Sequence, residues 1–294
     1  MAIILLAVLV VVALTYAAPG AARLRDFSWL RVWTERSAPA HEDGGRTRPW
    51  LVPVLLIVLC GVVQGILMHL LFGLPAFVFA VIVLFYCWGP RELEVDIDAV
   101  LKAPDNARRS EAAQRLRAGS SDLLVPLVSD ALVEAAFMAA LNRWFGVLFW
   151  FVLLGPVGAF GYRIIQLIAR DTDGAVPLDV AEHARFERLA ASLDWAPAHL
   201  VALTLALVSD FDAVISTWRN YHAAHGRGYF TLDIGFLGAL ARAGVDADVL
   251  AGDGYATDVS DPMIELADAR TLLRRVLLTW LAVIALLVLA SWVR

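Results

Sequence analysis

The stretch from residue 133 to residue 171, VEAAFMAALNRWFGVLFWFVLLGPVGAFGYRIIQLIARD, decides how the rest of the chain is organised. Polar side chains come first, followed by an apolar run from Trp144 to Leu154, a break at Gly155-Pro156 and a second apolar segment that ends at Ile168. Arg163 is the only formal charge between 144 and 168. Its burial in hydrocarbon would cost at least about 2.5 kcal/mol without water or a partner. A snorkelling arginine near a helix end and an arginine with a functional role both explain this pattern.

Composition identifies the class of protein. Of the 294 residues, 60% are hydrophobic and 18% are charged, whereas soluble domains are usually about 45 to 50% apolar. We therefore predict an all-α polytopic integral membrane protein, with about four to five transmembrane helices and helical extramembrane regions. The lipid bilayer is its first partner. The net charge of −5 and the lack of a basic run exclude nucleic acid as a partner. Cys60 and Cys87 lie inside apolar runs, which favours neither a disulfide framework nor a metal site.

The chain before residue 89 divides into three segments. Residues 1–18 are predicted to be a retained N-terminal membrane helix, because no basic residue precedes Arg23 as a secretory signal requires. Residues 19–49 are predicted to be an interfacial helix followed by a linker, and residues 50–88 a transmembrane hairpin. Gln64 and His69 are the strongly polar side chains of its first span. They either form interhelical hydrogen bonds or serve a ligand or a proton.

Four segments follow the hairpin. Residues 89–143 are predicted to be a polar helical region, in which the alternating acids of RELEVDIDAVLKA form a short strand or an aqueous collar and a helix begins near Asp105. Residues 144–168 are a membrane segment with a Gly-Pro break, which crosses once or bends into a hairpin. Residues 169–271 are an acidic helical region, with seven arginines against 16 acids. Within it, 193–209 fits a buried, re-entrant or interfacial helix. Residues 272–294 are the C-terminal transmembrane helix.

Arginine placement predicts the topology. Residues 19–49 and 91–143 carry 6 and 7 basic residues, whereas the turn at Gly73 carries none. By the positive-inside rule the two basic segments lie on the cytoplasmic side. A hairpin at Gly155-Pro156, or a second crossing near 196–209, would place the acidic region there as well.

A family resemblance rests on motifs in a fixed order. Glu134, Leu148-Phe149-Trp150, Gly155-Pro156 and Tyr162-Arg163 resemble the core motif of the CobD/CbiB membrane enzymes, the adenosylcobinamide-phosphate synthases of cobalamin biosynthesis. The sequence also departs from that family. Met138, Ala139 and Asn142 stand where the family has Glu, Asn and Asp, and His199 stands where it has Arg. An ATP-dependent ligase needs carboxylates for Mg²⁺ and a basic group for phosphates, so these departures argue against that chemistry.

A second resemblance within the same superfamily fits better. Asn142-Arg143-Trp144, Leu148-Phe149-Trp150 and Leu193-Asp194-Trp195-Ala196-Pro197 resemble the AmpE proteins. This resemblance implies a multi-pass protein of the bacterial inner membrane that regulates β-lactamase induction and cell-wall homeostasis. It implies no catalytic residue, cofactor or metal. A divergent adenosylcobinamide-phosphate synthase is the alternative.

The polar residues around the decisive stretch define a candidate site. It consists of Glu134, Asn142, Arg143, Tyr162 and Arg163. A bend at Gly155-Pro156 would bring the residues before and after it to one face, where Glu134 and Arg163 could meet. Such a pocket would bind a small anionic or amphipathic ligand or another membrane protein; a fold-holding ion pair is the alternative.

Other catalytic patterns are weak in this sequence. His222 and His225 have the spacing of metal ligands on one helix, but no third histidine or cysteine lies near them. The GxSxG motif of serine hydrolases is absent.

Overall fold

The structure, a computed structural model, describes residues 2–17, 20, 25–27, 29–30, 50–68, 73–89, 92–117, 124–170, 179–225, 231–253 and 261–292. Helices form 86% of these residues, and none of them lies in a strand, which confirms the all-α prediction. Four helices are long and apolar enough to cross a membrane: Leu51–Met68, Ser129–Leu154, Val180–Val208 and Pro262–Ala290. Two shorter apolar helices span Ile3–Thr15 and Leu74–Cys87. These helices confirm a polytopic membrane protein.

The helices of the described residues are, in chain order, α1 Ala2–Ala17, α2 Leu51–Met68, α3 Leu74–Cys87, α4 Leu93–Leu101, α5 Asn106–Gln114, α6 Ser129–Ala140, α7 Gly146–Leu154, α8 Pro156–Ala169, α9 Val180–Val208, α10 Phe211–His225, α11 Phe236–Asp253 and α12 Pro262–Trp292. A single π-helical turn, Leu141–Phe145, joins α6 to α7. The chain divides into two compact units. The first unit comprises residues 1–91, 120–122 and 146–190, and the second comprises residues 92–119, 123–145 and 191–294.

A tight helical hairpin, α7 and α8, lies in the first unit and packs with α1, α2 and α3. Gly158 approaches the Trp150 carbonyl oxygen, and Gly146 lies against the Tyr162 hydroxyl, so the two helices run antiparallel. Gly155 makes the turn with φ 72° and ψ −156°, a conformation that is essentially restricted to glycine. Of the two alternatives for the Gly-Pro break, the structure shows the hairpin.

The Gln64 side chain closes this hairpin at its turn. Its Oε1 accepts a hydrogen bond from the Val157 N–H at 3.0 Å, and its Nε2 donates to the Leu154 carbonyl oxygen at 3.5 Å. A helix break in a membrane leaves backbone groups that water cannot satisfy, and a polar side chain of a neighbouring helix replaces the water. The predicted interhelical hydrogen bond of Gln64 is therefore confirmed, whereas His69 lies outside the described residues.

The second unit is built around α6, which packs against α11 and α12. Its α4 replaces the predicted strand or collar. Leu93, Ile97 and Val100 are all fully buried, at a spacing that places them on one side of a helix. The alternating acids thus belong to an amphipathic helix rather than a strand. The predicted helix start near Asp105 is confirmed, because the Asp105 side chain accepts from the Arg108 N–H as the N-cap of α5.

Two helices begin earlier than the sequence predicts. The short helix expected over 193–209 is the last part of α9, which begins at Val180 and has Pro197 inside it. The final helix, expected from 272, begins at Pro262. In both cases the extra turns are rich in Ala, Leu, Arg and Glu, which are strong helix formers. Hydrophobicity locates the apolar part of such a helix but not its polar extension.

Candidate functional site

Arg143 is the best-anchored of the predicted site residues. It lies in the π-helical turn, and its Nη1 is 2.6 Å from Asp96 Oδ2 on α4. Its Nη2 donates to the Arg115 carbonyl oxygen at 2.5 Å, just past the end of α5. The side chains of Arg143 and Asp96 are only 12% and 4% exposed. This buried ion pair fixes the turn to two helices of the second unit, and loss of one partner from such a pair typically costs about 3 to 5 kcal/mol.

Asn142 precedes Arg143 in the same turn and is buried. A π-helical turn inserts one extra residue into an α-helix, and such turns are frequent at functional sites. Here the turn coincides with the Asn142-Arg143-Trp144 motif. No sequence feature signals this turn, since the hydrophobic pattern continues through it.

Glu134 lies on α6, one side of which faces α11. Its carboxyl group packs against Gly238, where a Cβ atom would meet the Glu134 Cδ at 2.6 Å. Gly238 is the third residue of α11, so the carboxylate lies beside the first turn of that helix. The N-terminal turn of a helix carries a partial positive charge that favours an anion. The contact therefore explains why this position of α11 holds a glycine.

Arg163 belongs to the first unit and is buried in α8. Its Nε and Nη2 both donate to the Cys87 carbonyl oxygen, at 2.9 Å and 2.7 Å. Cys87 is the last residue of α3, whose final carbonyl groups have no intrahelical donor. A guanidinium at that place satisfies such a carbonyl and complements the negative end of the helix. The charge that stood out in the sequence therefore has a backbone partner.

Arg25 supports the same end of α3 and was not predicted as a site residue. Its Nη1 donates to the Gly89 carbonyl oxygen at 3.4 Å, and its Nη2 to Thr15 Oγ1 at 3.3 Å. The guanidinium carbon lies 4.3 Å from the centre of the Phe85 ring, within the range of a cation–π interaction. Arg25, one of the two arginines that follow the first apolar run, is thus buried in the first unit.

Tyr162 completes the predicted set. It is 2% exposed and lies on α8 against Gly146 of α7. The structure thus assigns Tyr162 and Arg163 to the first unit, and Glu134, Asn142 and Arg143 to the second. The pairing of Glu134 with Arg163 stays a prediction.

A cluster of histidine and aromatic rings in the second unit was not predicted from the sequence. Its members come from α9, α10 and α11: Trp195, His199, Trp218, His222 and Phe236. The one sequence feature that pointed to this cluster was His199, which stands where the CobD/CbiB enzymes have an arginine. Among the described residues, no group of three or more His, Cys, Asp or Glu side chains is placed to hold a metal ion. The side chain of His225 lies outside those residues.

Comparison with known proteins gives one match. The family described as CobD/Cbib protein matches residues 3–227 of this chain. No curated protein and no solved structure matches. The family segment covers the first unit from residue 3 onward and ends just after α10, so α11 and α12 lie beyond it. Because the match covers more than half of the chain, the chain belongs to the CobD/CbiB family.

Proposed function

From this family membership, we propose that the chain is an AmpE-like regulatory protein of the bacterial inner membrane, linked to β-lactamase induction and cell-wall homeostasis. The observation that carries the proposal is the Arg143–Asp96 ion pair, 2.6 Å long and buried. Arg143 belongs to the Asn-Arg-Trp motif that resembles AmpE. Its charge is used inside the protein, to hold the π-helical turn on α4, and is therefore not presented to a phosphate. A motif whose arginine holds helices together suits a protein that transmits a signal. It suits an enzyme that transfers phosphoryl groups or forms amides less well.

The residues that replace the acids of the resembled ligases support the same proposal. Met138 and Ala139 lie on α6, and Ala139 is 1% exposed. Neither side chain can ligate Mg²⁺, which takes oxygen ligands. Glu134 lies against Gly238 at the first turn of α11. We propose that this carboxylate lines a polar pocket of the second unit that takes a small anionic or amphipathic ligand or another membrane protein.

The test uses a bacterial host that has an inducible β-lactamase and lacks its own AmpE. Glu134→Gln and Arg163→Gln variants are compared with the wild-type chain for membrane abundance and for β-lactamase induction. Glu111→Gln is the matched control, because the Glu111 side chain is 74% exposed. Normal abundance with lost induction in the Glu134→Gln variant supports a sensing site in the second unit. Loss of abundance together with induction in either variant supports a structural role of that side chain. Unchanged induction in both variants contradicts the proposed pocket.

The family match also favours a second candidate function, a divergent adenosylcobinamide-phosphate synthase. This enzyme would be an ATP-dependent amide ligase of cobalamin biosynthesis. We expect the chain not to rescue a strain that lacks the cobinamide-phosphate step, because Met138, Ala139 and Asn142 replace the acids and amide of the resembled enzymes. Growth of that strain without added cobinamide would establish the enzyme and reject the regulatory proposal.

A further inference from the structure

The last part of α9 carries a row of exposed apolar side chains in the second unit. Leu200, Leu203 and Leu207 are 42%, 48% and 74% exposed, and their spacing places them on one side of the helix. On the other side, Val201 and Leu205 are fully buried. The exposed row is therefore the outer surface of a helix whose inner side is already packed.

The exposed apolar surface continues at the start of α10. Phe211, the first residue of that helix, is 56% exposed. Together with the three leucines of α9 it forms what we call the apolar stripe. Asp210 and Asp212, on either side of Phe211 in the chain, are exposed as well, so the stripe ends at a polar rim. Apolar surface with a polar rim is typical of a site that contacts a membrane or another protein.

A hydrogen bond to α12 shows how deep the stripe lies. Trp280 Nε1 donates to Thr204 Oγ1 at 3.1 Å, and Thr204 directly follows Leu203. Trp280 lies five residues beyond Arg275, after which α12 has no charged residue up to its end at Trp292. At about 1.5 Å per residue, the bond is about 7.5 Å inside the apolar part of α12.

The end of α9 lies beside the polar part of α12. A Cβ atom added to Gly244 of α11 would lie 3.2 Å from Ser209 Oγ and 3.3 Å from Leu272 Cδ2. Ser209 is therefore close to a residue of α12 that precedes Arg275. The last turns of α9 thus lie at the boundary between the polar and the apolar part of α12.

We propose that the apolar stripe is an interfacial membrane anchor of the second unit, and that its partner is the acyl chains of the bilayer. Lipid surrounds the apolar part of α12, which exposes Leu278 and Val283 just before and just after Trp280. Helices that lie in the membrane surface bury their apolar side about 5 to 10 Å deep, which agrees with the level of Thr204. The anchor does not depend on the proposed regulatory function.

The test measures the depth of spin labels by electron paramagnetic resonance in phosphatidylcholine vesicles. The full chain carries one label at a time, on Leu203→Cys or on Leu207→Cys. Two relaxing agents report the surroundings of each label: oxygen, which concentrates in hydrocarbon, and a nickel chelate, which stays in water. The unlabelled background is the wild-type chain, because its Cys60 and Cys87 are buried.

Two control positions have exposed side chains on other helices. Leu286→Cys on α12 is the control for lipid, since Leu286 is 65% exposed and lies about 16 Å beyond Arg275 along the helix. Ala223→Cys on α10 is the control for water, since Ala223 is exposed and lies outside the stripe.

We expect both stripe labels at a depth of about 5 to 10 Å, between the two controls. Exposure to the nickel chelate as high as at Ala223 overturns the proposal, because the stripe then faces water. A label that neither agent reaches overturns it as well, because protein then covers the stripe. A depth equal to that of Leu286 overturns the interfacial position. Leu203 and Leu207 are tested independently, so the proposal stays testable if one variant fails to fold.

Discussion

At the scale of single residues, two buried arginines have partners of different kinds. Arg143 binds a carboxylate, whereas Arg163 binds the last carbonyl group of α3. The sequence predicted that Arg163 needs water or a partner, since it stands alone in an apolar segment. It could not identify the Cys87 carbonyl, because the free carbonyl at a helix end depends on where that helix stops. The sequence could not identify the partner of Arg143 either, because Asp96 lies 47 residues away.

The Arg143–Asp96 pair gives the first prediction. Arg143→Gln leaves a carboxylate that is 4% exposed without its cation, and we expect the free energy of unfolding to fall by about 3 to 5 kcal/mol. The double variant Arg143→Met, Asp96→Leu removes both charges and should recover most of the loss. Thermal unfolding in detergent measures the stability of the single variant and of the double variant. The control is Arg274→Gln, whose side chain is 46% exposed in its pair with Glu94 and which should lose at most about 1 kcal/mol. Equal losses in the two single variants would contradict the assignment.

The second prediction concerns Asp98 and pH. Lys102 Nζ lies 2.7 Å and Arg270 Nη1 2.6 Å from the Asp98 carboxylate. The hydrogen bond from Lys102, with help from Arg270, lowers the pKa of Asp98 below its ordinary value. A lowered folded-state pKa stabilises the protein above the unfolded value of about 3.9, and this stabilisation is lost as the pH falls through the folded-state pKa.

Unfolding of the wild-type chain and of Asp98→Asn, followed as a function of pH, tests this. We expect the wild type to be the more stable at neutral pH, by a difference that shrinks below pH about 3.9. Because the Asp98 side chain is 37% exposed, added salt should also reduce the difference. A difference that grows towards acid pH would show that the pKa is raised instead.

At the scale of elements, the sequence predicted the position of a turn better than the secondary structure of the segments between turns. Gly155-Pro156 marked the break of the decisive stretch, and the structure places the hairpin there. By contrast, Glu94 and Asp98 were interpreted within a period-two pattern of acids. They lie one turn apart on α4 and pair with Arg274 and Arg270, also one turn apart on α12. These arginines are 180 and 172 residues further along the chain, so no local pattern could include them.

The third prediction tests the close packing of the hairpin. A Cβ atom at Gly158 would clash with the backbone carbonyl oxygen of Trp150 and with the Leu154 side chain, so α7 and α8 would have to move apart. We expect Gly158→Ala to destabilise the protein by about 1 to 3 kcal/mol, as overpacking of a core usually does. Gly65→Ala is the matched control, since Gly65 is a helical glycine of α2 with no atom within 4 Å of an added Cβ. Its unfolding midpoint should stay unchanged or rise slightly. A similar fall in both variants would mean that the two helices are not in contact.

At the scale of the whole molecule, two features decide on which side of the membrane the acidic region lies. Because α7 and α8 are antiparallel, the chain leaves this hairpin on the side at which it enters the hairpin. The 29 residues of α9 are long enough for a further crossing. However, α9 contains Asp194, which is 1% exposed, and His199, and it begins with a polar stretch. An ionisable group inside a spanning helix is costly, which favours an α9 that does not cross.

We therefore predict that α5 and α10 lie on the same side of the membrane. Both belong to the second unit, and each offers an exposed position for a cysteine, Glu111 on α5 and Ala223 on α10. Single Glu111→Cys and Ala223→Cys variants are labelled with a membrane-impermeant maleimide in inside-out and right-side-out vesicles. The wild-type chain gives the baseline, because its Cys60 and Cys87 are buried. We expect both variants to react in the same type of vesicle, with the basic segments around α5 on the cytoplasmic side. Labelling of the two variants in opposite vesicles would mean that α9 crosses the bilayer, and would place α10 and the cluster around His199 next to the opposite leaflet.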